Sequence, residues 1–149
     1  MISKQDVINA CALAIKKRID SIEESIVSAK ETAAKETKSS AGDKFETTRA
    51  MMHLELERLS KQLAEAQHLQ QLNVLAAQKS YTETIALGSL VTTTNGTYFI
   101  GAGLGKIMVK GTIIFSISTE SPIGKLLIGI KAGECITFNG SEICILGLQ

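Results

Sequence analysis

The first 79 residues contain no proline and a single glycine, Gly42, and that one break limits how this half of the chain can fold. On both sides of it apolar residues recur at alternating spacings of four and three. Ile8, Ala12, Ile15, Ile19, Ile22, Ile26, Ala29 and Ala33 precede it; Met52, Leu56, Leu59, Leu63 and Ala66 follow, continued less regularly by Leu69, Leu72 and Leu75. Such a seven-residue repeat keeps one stripe facing a partner helix. Each segment allows a helix of roughly thirty residues, about 45 Å at 1.5 Å per residue. The stripes are too narrow to fill a wider core, and a glycine within a polar segment suits a helix exit. The expectation over residues 1–79 is an antiparallel coiled-coil hairpin with its tip at 39–46. The rival is one unbroken helix of an intermolecular coiled coil.

Residues 80–149 have a different composition. They hold eleven of the twelve glycines, the only proline (Pro122), and four charges of each sign, against twelve Lys/Arg and eleven Asp/Glu in the first half. With a formal charge of +1 overall, duplex DNA is a poor candidate ligand, because affinity for it comes from neutralising many phosphates. Short β-branched runs separated by turn residues predict a small, bent antiparallel sheet. Its strands are expected at Thr84–Leu87, Leu90–Thr94, Tyr98–Ile100, Lys106–Val109, Thr112–Ser118, Cys135–Phe138 and Glu142–Leu146. Asn95-Gly96 and Asn139-Gly140 are hairpin-turn signals. Ser121 to Gly129 predicts one short helix, with Ser121 as cap, Pro122 in the first turn and Gly129 at the exit. Gly101, Gly103 and Gly105 lack the long helix that a dinucleotide-binding loop requires. The fold class is therefore α+β, with a helical hairpin over 1–79 and a β domain over 80–149.

Chemistry-bearing residues are sparse. Cys11, Cys135 and Cys144 are odd in number, lack metal-ligand spacing and lie in apolar patterns, so the expectation is buried free thiols in a reducing compartment. His53 and His68 have no neighbours at ligand spacing and read as solvated helix residues. Met1 to Asp6 leads into an amphipathic repeat and not into a signal peptide. No apolar run reaches membrane-span length, and a cytoplasmic location follows as an expectation.

The tip, Ser39-Ser40-Ala41-Gly42-Asp43-Lys44-Phe45-Glu46, carries the sharper question. Asp43 followed by Glu46 has the pattern of a capping box, and acids are also favoured at a helix N-terminus. Two carboxylates one turn apart can alternatively share a hard divalent cation such as Mg²⁺, given further oxygens from a partner. Phe45 has no evident core to join. Lys44 and Arg49 could meet phosphates or simply remain solvated.

Ser121-Pro122-Ile123-Gly124-Lys125-Leu126-Leu127-Ile128-Gly129, followed by Ala132-Gly133-Glu134 and a closing strand, resembles the bacterial Gre family of transcript cleavage factors. Gly88-Ser89-Leu90-Val91 looks like the opening of the same domain. At the tip, Gly42, Asp43 and Glu46 match the family's glycine-aspartate and glutamate at the same spacing. Lys44, Phe45 and Thr47 depart from the family pattern, and Glu134 stands where aspartate is usual. The resemblance implies an FK506-binding-protein-like C-terminal domain without isomerase activity. It also implies an arm that enters the secondary channel of RNA polymerase, with indirect contact to transcript RNA. Asp43 and Glu46 would then assist the polymerase's own hydrolysis of backtracked RNA. No cofactor of the protein's own is expected: Mg²⁺ would be held jointly with the polymerase. Lys44, Phe45, Arg49, Ser121, Pro122, Gly124 and Lys125 would contact the partner. The alternatives are a channel-binding regulator without cleavage activity, and a coiled-coil scaffold or chaperone-like interaction protein.

Overall fold

In the computed structural model of the chain, the described residues are 1–39 and 43–149, and the side chains at 36–39 and 43–45 stand outside that set. Two long helices, α1 (Lys4–Ser39) and α2 (Asp43–Gln78), precede a six-stranded sheet and one short helix. The strands are β1 (Leu90–Thr93), β2 (Gly96–Ile100), β3 (Gly105–Val109), β4 (Thr112–Ile117), β5 (Cys135–Phe138) and β6 (Ser141–Leu148); α3 (Pro122–Leu127) lies between β4 and β5. The chain divides into two compact units, one of Met1–Ala14 with Leu69–Gln149, the other of Ile15–His68.

In the first unit the strands are ordered β3-β4-β2-β1-β6-β5. The sheet is mixed, contrary to the antiparallel expectation: β2 and β4 pair in parallel, with Thr97 opposite Ile114 and Ile100 opposite Ile117. The cause lies in the connection. The chain leaves β2 for the edge strand β3, turns at Lys110-Gly111, and returns as β4 between the two. Both turn residues have positive φ, 48° and 79°, the conformation a two-residue hairpin turn of matching twist demands. Asn139-Gly140, at 51° and 78°, repeats that geometry between β5 and β6, as the sequence predicts. The first hairpin differs by one position: Thr93 pairs with Gly96, so its loop is Thr94-Asn95. The expected strand at Thr84–Leu87 reduces to a single bridge between Thr84 and Lys131.

Alternation along the strands fills both faces of the sheet. Leu90, Phe99, Val109 and Ile114 pack with Val7, Ile8 and Cys11 of α1 and Ala76 of α2. Val91, Tyr98, Ile100, Ile143 and Ile145 pack on the other side with Ile85 and with Ile123 and Leu127 of α3. At the start of α1, the Ser3 N–H donates to the Asp6 carboxylate at 2.9 Å, and the Asp6 N–H donates to the Ser3 hydroxyl at 3.1 Å. This reciprocal cap satisfies two donors that a helix start otherwise leaves open. At the end of α2, Lys4 Nζ donates to the Lys79 carbonyl at 2.7 Å.

In the second unit the buried side chains among the described residues are Ile15 and Ile22 on α1 and Leu59 and Ala66 on α2. Ile19, Ile26, Ala29, Ala33, Met52, Leu56 and Leu63 are half-buried. Ile22 lines a groove with Ala66 and Gln62, whereas Ala29 and Thr32 share one with Met52 and Glu55. Numbering thus rises along one helix as it falls along the other. The seam weakens towards the interhelix end, where no described side chain beyond Ile22 on α1 or before Leu59 on α2 is fully buried. His53 and His68 are exposed, as expected. The solvent-accessible ion pairs Lys16–Asp20 and Glu55–Arg58 lie within single helices and contribute little to stability.

Candidate functional site

The Ser121–Lys125 segment folds as its residue types dictate. The Ser121 hydroxyl accepts from the Gly124 N–H at 3.1 Å and donates to the Ser118 carbonyl at 2.8 Å. Pro122 occupies the first turn, where its missing N–H costs nothing. Gly124 is buried against the preceding loop, and a Cβ there would collide with the Ser118 carbonyl oxygen. Ser121 and Gly124 therefore shape the helix start, while Pro122 and Lys125 are exposed. Leu126 and Ile128 beside them are also exposed, at 43% and 39%.

The tip residues fall on the least described part of the chain. Residues 40–42, Gly42 among them, lie outside the described residues, as do the side chains of Asp43, Lys44 and Phe45. Asp43 is the first residue of α2, one turn before Glu46. Glu46 and Arg49 are exposed on that helix.

The cysteines do not follow the sequence expectation of three buried free thiols. Cys11 is free and fully buried. Its thiol lies 3.7 Å from the Ser116 hydroxyl, which itself donates to the Ala102 carbonyl. Burial pushes the Cys11 thiol up from its ordinary pKa, and the contact with Ser116 offsets this only in part; a group so placed is a packing residue and a poor nucleophile. Cys135 and Cys144 instead form a disulfide across β5 and β6. They are directly paired, with Cα atoms 4.0 Å apart. The neighbouring Ile145 N–H donates to the Glu134 carbonyl, which leaves the cysteines in a close-spaced, non-hydrogen-bonded pair.

Glu142 precedes Cys144 by two residues and therefore shares its face of the strand. Its Oε1 lies 3.6 Å from Cys144 Sγ. One ligand atom from each of Cys135, Glu142 and Cys144 falls within 4.8 Å of the others. The expectation that this protein has no metal-binding group of its own, with Mg²⁺ held only jointly with a polymerase, is thereby corrected: the β5–β6 hairpin carries a self-contained set of two sulfurs and a carboxylate. Motif spacing missed the set because a nine-residue separation matches no familiar metal signature. The turn at Asn139-Gly140 was the available signal, since a two-residue loop there puts positions 135 and 144 opposite each other.

Among the described residues, no helix is long and apolar enough to cross a membrane. No family model, curated protein or solved structure matches the chain.

Proposed function

We propose that this chain is a divergent Gre-type transcription elongation factor, binding the secondary channel of RNA polymerase and stimulating cleavage of backtracked RNA. One observation carries the reading. Each of α1 and α2 has 36 residues, about 54 Å at 1.5 Å per residue, and among the described residues the sheet core draws on their hydrophobic side chains at Val7, Ile8, Cys11 and Ala76, with Ala10 packed against it. The segment Ile15–His68 is held by a thin seam, and its exposed residues are mostly polar, with Val27, Met51 and Leu54 exposed among them. A long, slender helix pair is an inefficient way to build a core and a suitable way to reach into a narrow passage.

In this reading residues 1–79 act as an antiparallel coiled-coil hairpin that carries Asp43 and Glu46 inward. The FK506-binding-protein-like domain docks at the channel rim, with Pro122, Lys125, Leu126 and Ile128 available for contact. The protein supplies acidic groups to a reaction the polymerase performs and is not an enzyme alone. Its contact with the transcript is indirect, and its place of action is the cytoplasm. The altered tip residues Lys44, Phe45 and Thr47 favour, as second reading, a channel-binding regulator without cleavage activity.

The test adds the full chain to backtracked elongation complexes of its own RNA polymerase and measures release of short 3′ RNA fragments. The Asp43→Asn, Glu46→Gln double variant is run beside it, with polymerase binding followed in parallel. Fragment release that disappears in the variant while binding persists supports cleavage stimulation. Binding without release selects the regulator, and absence of binding removes both readings.

A further inference from the structure

The β5–β6 hairpin holds a chemical set that polymerase binding does not use. Cys135, Thr137, Glu142 and Cys144 project from one face of this hairpin, opposite to Ile136, Ile143 and Ile145, which face the core. Cys135 and Glu142 are exposed and Cys144 is half-buried. Strand β5 is the sheet edge, so a reductant can approach the sulfurs from solvent. We propose that Cys135, Cys144 and Glu142 form a redox-gated zinc site, closed to metal as the disulfide and opened by its reduction.

The chemistry balances in two steps. An external dithiol, or a phosphine reductant in the test tube, supplies two electrons; the S–S bond breaks and the sulfurs take up two protons. With a dithiol, the donor gives up the two protons and leaves as its own disulfide; with a phosphine, water supplies the two protons and an oxygen, and the phosphine leaves as its oxide. Zn²⁺ then displaces both thiol protons to solvent, because the thiolate is the ligand. Two thiolates and a carboxylate suit Zn²⁺, which accepts sulfur at about 2.3 Å and carboxylate oxygen at about 2.0–2.2 Å; a water completes the tetrahedron. The soft sulfurs select against Mg²⁺ and Ca²⁺, which demand oxygen.

Backbone geometry favours the site over an accidental cluster. The Asn139-Gly140 turn fixes the register that places positions 135 and 144 in direct opposition. The Cys144 N–H donates to the Thr94 hydroxyl at 3.1 Å, and the Cys144 carbonyl accepts from the Thr94 N–H at 3.0 Å, tying this ligand to the sheet. Reduction therefore exchanges one covalent cross-link for a metal cross-link at the same place on the hairpin.

Co²⁺ is the first probe, because tetrahedral thiolate coordination gives a sulfur-to-metal absorption band and intense visible bands. The full chain, reduced with a phosphine and freed of metal, is expected to bind one Co²⁺ per chain with those bands, and Zn²⁺ should displace it. The oxidised chain should bind none. Cys135→Ser and Cys144→Ser should each lose the thiolate signature of the pair, while Cys11→Ala should retain it. Glu142→Gln should keep the thiolate band but hold the metal more weakly. A melting curve of each variant without metal checks that the hairpin remains folded. Reduced wild type that takes up no metal, or uptake that survives both cysteine substitutions, overturns the proposal. Unchanged affinity in Glu142→Gln overturns the three-ligand form of it.

Discussion

The sheet unit and the long-helix unit are built from the same aliphatic residues but enclose them differently. In the sheet, Phe99 and Ile100 are adjacent in sequence, both fully buried, and committed to opposite faces. In the helical unit Ile22 is buried, whereas Ile19 and Ile26, one turn to either side of it, are only half so. A strand covered on both faces removes successive side chains from water, whereas a two-helix seam covers one narrow stripe. The difference in stabilisation therefore comes from geometry more than from composition, and substitutions of similar chemistry should expose it.

Phe99→Ala gives the largest expected effect. Its ring lies inside the cluster joining the helix bases to the sheet, and truncation of such a residue costs about 3–5 kcal/mol. Chemical denaturation should show a loss in that range, with hydrogen-exchange protection falling in β1, β2 and β4. Ile22→Ala should cost less, about 2 kcal/mol, at the lower end for large-to-small changes. Its effect should be confined to amides of residues 15–68. Equal losses from both variants, or protection falling throughout in both, would break the distinction between the units.

The same contrast explains what the sequence reveals. The seven-residue period identified the stripe of α1 correctly except at one place: Ala12 is exposed and Cys11 is fully buried. On α2 the expected continuation through Leu72 and Leu75 is displaced to Asn73 and Ala76, with Leu75 47% exposed. Residue type misled there, because a polar Asn and a small Ala occupy the buried positions while a leucine faces water. Local turn chemistry gave α3 and the β5–β6 hairpin, since Pro122, Gly129 and Asn139-Gly140 act within a few residues. The parallel β2–β4 pairing is long-range and left no local mark. The cysteine pair lay between these cases. Its register follows from the turn, but apolar surroundings made both residues look like buried thiols.

Asn73 offers a smaller and sharper test of the helix bases. Its side-chain amide donates to the Ile8 carbonyl at 3.2 Å, while its own carbonyl oxygen is buried without a partner. Asn73→Leu removes one hydrogen bond of about 1 kcal/mol, but also removes an orphaned acceptor whose burial costs about 1–3 kcal/mol. The expected result is a stability within about 1 kcal/mol of wild type, or slightly above it. A loss as large as that of Ile22→Ala would show that Asn73 fixes the helix register, as polar residues at seam positions can.

The smallest expected effect is a pH dependence at the start of α1. Hydrogen bonds from the Ser3 N–H, then from Lys110 at 3.1 Å and from the Ser3 hydroxyl, hold the Asp6 carboxyl down at a pKa of about 2, against an ordinary 3.8. A carboxylate whose pKa is lowered by folding stabilises the folded state above its unfolded pKa and loses that contribution as pH falls through the folded value. The window is therefore about pH 4 to 2. Asp6→Asn keeps an acceptor for the Ser3 N–H but removes the charge that Lys110 meets, so wild type should be the more stable at neutral pH. Their melting temperatures should converge as pH is lowered through the window. Added salt should narrow the neutral-pH gap, because the Lys110 partner is largely exposed and screening reaches it. A gap that is unchanged at pH 2 would assign the stabilisation to the shape of the cap rather than to its charge. The start of α1 would then resemble the uncharged Ser121 cap of α3, where the hydroxyl alone does the same work.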